Sequence, residues 1–251
     1  MIKSIFVHIP KCAGMTIRRS PQLANKIIVG TWDNHVSRDY TRAVKAKMDS
    51  IGDHHGFEHA RWRDYKAELR TMNSAFAIAR NPWDRVVSRY FFAKKVTEVE
   101  KKEPVGKHKI DSFEHFLESR FDWGGQDYMW HRAIRGWYPT TDHVCDENGK
   151  LRCHMLRFEN LNEDLCSYFS IPAMSRARNV TGLNEGTYMD LYTPETIQIV
   201  ADWYKSDIDM FGFDFDTGAF LALTVGSSTF PAMISCIFLF LSTPLKFLSC
   251  I

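Results

Sequence analysis

Two short stretches of the 251-residue chain place positive charge directly after an apolar run. In the first, Lys11 and residues 12–16 (Cys-Ala-Gly-Met-Thr) follow the apolar residues 5–7. Such a run is typical of a buried parallel strand, which Pro10 should end because it has no N–H for a ladder. Loop N–H groups, a lysine and a helix N-terminus together favour an anion site. On this stretch alone, an ordinary loop after a strand is an equal alternative.

The second stretch repeats this arrangement with arginine. The apolar residues 75–79 predict another buried strand, and Arg80 follows at its end. Asn81 is a good N-cap and Pro82 suits the first turn of a helix, so a helix should start here. Ser88 then lies two turns into that helix. Arg80 and Ser88 can therefore face one ligand at the sheet edge where open α/β sheets bind ligands.

Asp84 and Arg85 lie in the same predicted helix. They could contact a ligand, but neighbouring opposite charges on a helix also form ordinary surface ion pairs. We interpret these two residues as a salt-bridged helix surface.

Together, the two stretches resemble the nucleotide-binding motifs of sulfotransferases that use 3′-phosphoadenosine-5′-phosphosulfate (PAPS). Residues 8–14 are similar to the loop that binds the 5′-phosphosulfate, and residues 80–90 to the motif that binds the 3′-phosphate. The similarity is to the carbohydrate-type branch and its bacterial relatives, and it spans roughly residues 3–215. It implies an α/β, P-loop-NTPase-like three-layer fold with a central parallel sheet flanked by helices.

The resemblance also implies which residues bind the co-substrate. These candidates are Lys11, Cys12, Ala13, Gly14, Met15 and Thr16 for the phosphosulfate, Arg80 and Ser88 for the 3′-phosphate, and Arg178 in a loop that closes over the nucleotide. Lys11 would also be catalytic, neutralising charge on the bridging oxygen. Cys12 and Met15 stand where the family usually has hydroxyl residues. Their N–H groups can still bind phosphate, so we expect weaker affinity rather than inactivity.

A cluster of histidines offers a general base. A histidine is suited to take the proton of an attacking hydroxyl, because its pKa is near 6.5. Related bacterial enzymes place a histidine just before the helix that leads to the second motif, and His59 resembles that position. His59 is the first candidate and His54 the second, with a plain surface histidine as the alternative. Gly56 separates His55 from His59, which fits no His-x-x-x-His metal pair on a helix.

Composition agrees with a single catalytic domain, which we assign to residues 1–216. Hydrophobic residues make up 45% and charged residues 25%, which is ordinary for a globular protein. A net charge of +2 does not suggest a nucleic-acid partner. Residues 1–4 run directly into the first strand without a signal peptide, so we expect a cytoplasmic location unless the tail binds a membrane.

Six cysteines without a Cys-x-x-Cys pair argue against zinc and against a redox motif. Cys145 and Cys153 flank a predicted hairpin turn at residues 146–149. A two-residue turn would place Cys145 opposite Arg152, whereas a three-residue loop could pair the cysteines. We interpret both as free thiols.

Further elements follow from the pattern of apolar residues. The sequence predicts a strand at residues 26–29, a helix over residues 37–51 and a short helix starting at Phe113. Thr193 and Pro194 predict the N-cap and first residue of a helix that continues to about residue 208. The aromatic residues of 122–138 could contact an acceptor or belong to the core.

The C-terminal residues 217–251 form an uncharged, apolar tail as far as Leu245. Three interpretations remain open. Residues 219–251 could contact a membrane, the tail could pack on the domain or a partner, or it could be a non-native extension of the gene model.

The predicted function is transfer of a sulfuryl group from PAPS to a hydroxyl, of a carbohydrate or other small alcohol, by in-line displacement without a metal. A P-loop-like kinase is one alternative, but the Gly-x-x-x-x-Gly-Lys-Ser/Thr motif is absent, since Lys11 precedes Gly14. A non-catalytic, membrane-tethered nucleotide-binding protein is the other.

Overall fold

The computed structural model describes residues 3–32, 34–51, 54–99, 109–122, 136–172 and 188–216. In these segments, four parallel strands form one sheet with the order β2-β1-β3-β4. The strands are β1 Ser4–Val7, β2 Ile27–Val29, β3 Ala75–Ala79 and β4 His154–Arg157.

Helices connect and cover these strands. The α-helices are α1 Gly14–Arg18, α2 Arg38–Ile51, α3 Ala67–Met72, α4 Pro82–Lys94, α5 Phe113–Asp122, α6 Thr140–Val144, α7 Leu161–Phe169, α8 Pro194–Trp203 and α9 Lys205–Phe211. Short 3₁₀ helices lie at Phe57–His59, Trp62–Asp64 and Met189–Leu191, and a π-helical turn, Lys95–Val99, follows α4.

The two central strands carry the core. Every residue of β1 and of β3 is buried, as expected for parallel strands covered on both faces. Phe6 pairs in register with Phe76, and their stacked rings have centroids 5.0 Å apart. The predicted α/β fold with a central parallel sheet and flanking helices is confirmed.

The strand order also determines where a ligand should bind. From β1 the chain goes first to β2 on one side and later to β3 and β4 on the other. The loops after β1 and β3 therefore leave neighbouring strands at the point where the order reverses. In open α/β sheets, this switch point at the carboxyl ends is the ligand crevice. Both motif stretches of the sequence begin there.

Most element predictions hold, with one helix as the exception. β2, α2 and α5 lie where the sequence placed them, and Thr193 caps α8 by accepting from the Thr196 N–H at 3.3 Å. The prediction of a single helix that continues to about residue 208 is wrong. Tyr204 interrupts it between α8 and α9, and its ring is fully buried in the core.

The hairpin between α6 and β4 differs from both predicted registers. Cys145 lies opposite Leu151, rather than opposite Arg152 or Cys153, because Asp146 pairs with Lys150 around a three-residue loop. Asp146 Oδ1 accepts the N–H groups of Asn148 and Lys150 and so stabilises this turn. Both cysteines are free thiols, as predicted.

The interpretation of Asp84 and Arg85 as a surface pair is wrong. Arg85 is fully buried and donates to the Thr140 Oγ1 at 3.0 Å and to the Tyr138 carbonyl. Its guanidinium lies 3.9 Å from Asp207, which is also fully buried. This pair joins α4 to α6 and α9, while Asp84 contacts Arg80.

Several predictions fall outside the described residues. They include the tail at residues 217–251 and the aromatic residues Trp123, Tyr128 and Trp130. Among the helices of the described segments, none has the length and apolar character needed to cross a bilayer.

Candidate active site

The loop after β1 has an unusual backbone. Lys11 has a φ of 68° and Ala13 a φ of 56°, so two non-glycine residues adopt the left-handed conformation within three positions. This conformation is uncommon outside glycine and costs roughly 1–2 kcal/mol per residue. Left-handed residues within tight turns are typical of loops that direct several N–H groups to one side, where an anion can bind.

Cys12, between these two residues, offers neither a reactive thiol nor the N–H group that we expected to bind phosphate, because its N–H donates to the Ile9 carbonyl at 3.3 Å. Its side chain is buried, with the Sγ 3.7 Å from the Pro10 carbonyl. Burial raises the pKa of the thiol to about 11, so it is protonated at neutral pH. A thiolate at this position would repel an anionic ligand. Burial prevents this, because it keeps the side chain in its neutral thiol form.

Gly14 is required by the close approach of His8 beneath the loop. A Cβ at position 14 would lie 1.6 Å from the His8 Nε2, which is well inside contact distance. His8 is buried, and burial, reinforced by His59, Arg18 and His143, lowers the pKa of His8 well below its usual value. The neutral imidazole therefore packs against the loop as a structural group.

The Lys11 side chain lies in a strongly electropositive environment. Burial, together with the nearby positive charges of Arg80 and Arg89, lowers the pKa of Lys11 to about 8. The Nζ lies 4.5 Å from the centroid of the Phe92 ring, which is 41% exposed. A partly buried ammonium near two guanidinium groups is stabilised by an anion, and this favours a phosphate or sulfate ligand.

Arg80, at the end of β3, contacts the Lys11 loop directly. Its Nη1 donates to the Lys11 carbonyl at 2.9 Å. Its Nε and Nη2 donate to the two carboxylate oxygens of Asp84 at 2.6 Å and 2.8 Å. Among the described residues, these bonds use three of the five N–H groups of the guanidinium, which leaves two for a ligand. Ser88 is buried further along α4.

His59 lies next to the start of the same loop. Its Nδ1 is 2.8 Å from the His8 carbonyl oxygen, and the two imidazole centroids are 4.2 Å apart. The preceding residue, Glu58, accepts from Arg18 of α1 at 3.2 Å, which fixes this 3₁₀ turn against the first helix. Burial would raise the pKa of Glu58, but His59 and Arg18 outweigh it and the pKa is lowered.

His54 has a different environment. It is exposed, and its Nδ1 accepts the Gly56 N–H at 3.1 Å. His55 lies 2.8 Å from Asp49. Within the segments that the structure describes, no three His, Cys, Asp or Glu side chains are grouped to hold a metal ion.

The fold thus brings Lys11, Arg80 and His59 to one end of the sheet. Lys11 and Arg80 touch, and His59 is connected to them through the backbone of residues 8–11. Arg178 lies outside the described residues. Asp84 was not predicted as the partner of Arg80, although its position four residues later on a helix was a usable signal.

Comparison with known proteins gives one match. A sequence model described as the sulfotransferase family matches residues 2–214. No curated protein and no solved structure matches the chain.

Proposed function

The chain belongs to the sulfotransferase family, whose members transfer sulfuryl groups, and we propose that its donor is PAPS and its acceptor a hydroxyl of a carbohydrate or other small alcohol. The observation that carries this proposal is the contact between the two motifs. The Arg80 Nη1 donates to the Lys11 carbonyl at 2.9 Å, at the edge where β1 and β3 end. Two cationic groups converging at a switch point suit a ligand with two separate phosphate groups.

In this proposal the phosphosulfate binds the loop of residues 11–16. The left-handed turns at Lys11 and Ala13 orient the loop N–H groups, and Lys11 adds a full positive charge. The two remaining N–H groups of Arg80, together with Ser88, bind the 3′-phosphate. Arg80 is 8% exposed, so this contact is largely desolvated and correspondingly strong.

The chemistry is one displacement at sulfur. The acceptor oxygen forms a bond to sulfur, while the bond from sulfur to the bridging phosphate oxygen breaks and leaves its electron pair on that oxygen. Lys11 stabilises the negative charge that develops there. Positioning and electrostatic stabilisation supply most of the catalysis in the comparable phosphoryl transfers. The proposal assigns no step to a metal.

The proton of the hydroxyl passes to His59. Since the His8 carbonyl can only accept, the Nδ1 of His59 carries the hydrogen and the Nε2 of the neutral ring carries the lone pair. His54 has the reverse arrangement, because its Nδ1 accepts from Gly56 and its Nε2 is then protonated. The neutral form of His59 therefore presents a base, and this favours it over His54.

A transfer assay tests the function. The protein is incubated with radiolabelled PAPS and a panel of glycans and small alcohols, and with labelled ATP in parallel. We expect label on at least one hydroxyl acceptor from PAPS and none from ATP. Transfer from ATP would favour the kinase alternative, and binding of PAPS without transfer to any acceptor would favour the non-catalytic one.

Calorimetry tests the proposed donor separately. Arg80→Ala should weaken binding of the 3′,5′-bisphosphorylated nucleotide far more than binding of its 3′-dephosphorylated analogue, because charge-assisted contacts to phosphate are about twice as strong as neutral ones. Equal losses for both ligands would contradict recognition of the 3′-phosphate by Arg80.

A further inference from the structure

Asp84 organises the contact between the two motifs without belonging to either proposed phosphate site. Its two carboxylate oxygens accept from the Nε and Nη2 of Arg80 at 2.6 Å and 2.8 Å. This is the bidentate geometry in which an arginine fork is held most firmly. The Phe158 ring centroid lies 4.1 Å from the Arg80 Cζ, so one face of the guanidinium is also covered.

The same guanidinium holds the strained turn at Lys11. The third N–H of Arg80 is directed at the Lys11 carbonyl, which belongs to a residue with a φ of 68°. A left-handed non-glycine residue persists only where its surroundings hold it in place. Arg80 supplies one such restraint, and the orientation of Arg80 depends in turn on Asp84.

We propose that Asp84 is a positioning residue that couples the 3′-phosphate contact to the placement of Lys11 through Arg80. The inference rests on the proposed use of PAPS as donor. An anion on the two remaining N–H groups of Arg80 fixes the guanidinium further, and the Lys11 carbonyl is bonded to that same group. The 3′-phosphate therefore raises the rate of transfer as well as the affinity, since it stabilises the turn that carries the lysine.

The next strand offers a matched control. At the end of β4, Arg157 donates from its Nε and Nη2 to Asp164 at 3.1 Å and 2.8 Å, with the same bidentate geometry. No hydrogen bond connects this pair to the Lys11 loop among the bonds of the described residues. Asp164→Asn thus removes an equivalent ion pair near the same sheet edge without touching Arg80.

The experiment measures steady-state kinetics with two donors, PAPS and adenosine 5′-phosphosulfate, which lacks the 3′-phosphate. Asp84→Asn, Asp84→Glu, Arg80→Lys and Asp164→Asn are compared with the wild type, and thermal melting confirms that each is folded. We expect the wild type to turn over PAPS faster than the dephosphorylated donor at saturation. Asp84→Asn should lower kcat for PAPS by roughly tenfold to a hundredfold, the size of a lost charge-assisted hydrogen bond, and bring the two kcat values together.

Two conservative variants separate positioning from folding. Asp84→Glu keeps the charge and should recover part of kcat. Arg80→Lys keeps the positive charge but lacks the planar guanidinium that makes the bidentate contact. It should therefore retain part of the affinity for PAPS, but its kcat with PAPS should no longer exceed its kcat with the dephosphorylated donor. Asp164→Asn should match the wild type in kcat for both donors.

The inference is overturned if Asp84→Asn behaves like Asp164→Asn, if it changes KM alone, or if it lowers kcat equally for both donors. If Asp84→Asn does not fold, Arg80→Lys provides the test. The inference is then overturned if the kcat of Arg80→Lys with PAPS exceeds its kcat with the dephosphorylated donor by the same factor as in the wild type. A wild type that turns over hydroxyl acceptors only with another donor contradicts the proposed function, and the inference with it.

Discussion

Lys11 combines a full positive charge with surroundings that disfavour it. Burial, Arg80 and Arg89 lower the pKa of Lys11 from 10.5 to about 8 in the protein without ligand. The charged form is the one that stabilises a leaving phosphate, so the active form is lost as the pH rises through that value. An ordinary lysine, with a pKa near 10.4, would keep most of its charge up to about pH 10.

The first prediction is a fall of kcat/KM on the alkaline side of its pH profile. The value should decrease above about pH 8 as Lys11 loses its proton. Lys11→Arg keeps its charge over this range, so the residual activity of this variant should no longer fall on the alkaline side. An alkaline limb that persists in Lys11→Arg would show that another group causes it.

The second prediction separates the two candidate bases. His59→Ala should lower kcat by about 10²-fold or more, because a positioned base contributes 10²–10⁴-fold. Nucleotide affinity should hardly change, since the base contacts the acceptor. His54→Ala, on the exposed histidine of opposite tautomer, serves as the control and should be much milder. If His54→Ala shows the larger loss in kcat, His54 is the base and His59 is not. If neither variant loses much kcat, a carboxylate such as Glu58 becomes the candidate base.

At the scale of elements, a buried ion pair holds α4 against α6 and α9. Asp207 accepts the N–H groups of Thr140 and Thr141 at 2.7 Å and 2.8 Å and lies 3.9 Å from Arg85. All these groups lie in the interior, so the charge of Arg85 depends on this carboxylate. Removal of one partner from a buried pair typically costs 3–5 kcal/mol, because the other charge is left uncompensated.

The third prediction follows from this pair. Asp207→Asn should lower the free energy of unfolding by about 3–5 kcal/mol in denaturant titrations. Asp209→Asn, on the same helix but in an exposed pair with Lys205, should cost at most about 1 kcal/mol. Similar losses for the two variants would mean that the Arg85 contact is not a major source of stability.

The elements themselves could be predicted where a local signal defines them. Asn81 caps α4 and Pro82 opens it, as the sequence indicated, and the Asn81 Oδ1 accepts the Trp83 N–H at 3.0 Å. The break at Tyr204 could not be predicted, because the apolar pattern continues through it and only tertiary packing buries the ring. The hairpin register was missed because Asp146 stabilises a three-residue loop through its side chain.

The candidate site, like the elements, could be predicted only in part from the sequence. Motif residues at the ends of β1 and β3 could be expected near each other, since the carboxyl ends of neighbouring parallel strands meet at one edge. The contact from Arg80 to Asp84 and to the Lys11 carbonyl depends on side-chain directions that a single sequence does not specify. For the same reason Arg85 was mistaken for a surface residue, although it lies in the core.

For the whole molecule, the strand order explains why two stretches far apart in sequence form one site. β1 lies between β2 and β3, so both motif loops open at the reversal point of the sheet. The family match over residues 2–214 covers every strand of this sheet. We propose that this arrangement transfers a sulfuryl group from PAPS with Lys11 as its catalytic cation.

The most direct test is the rate of label transfer from radiolabelled PAPS by the wild type and by Lys11→Ala. Lys45→Ala, which removes another lysine that lies over an aromatic ring, is the control. We predict transfer by the wild type and by Lys45→Ala, and loss of transfer in Lys11→Ala with an unchanged melting temperature. A Lys11→Ala variant that transfers label at the rate of the wild type would contradict the account.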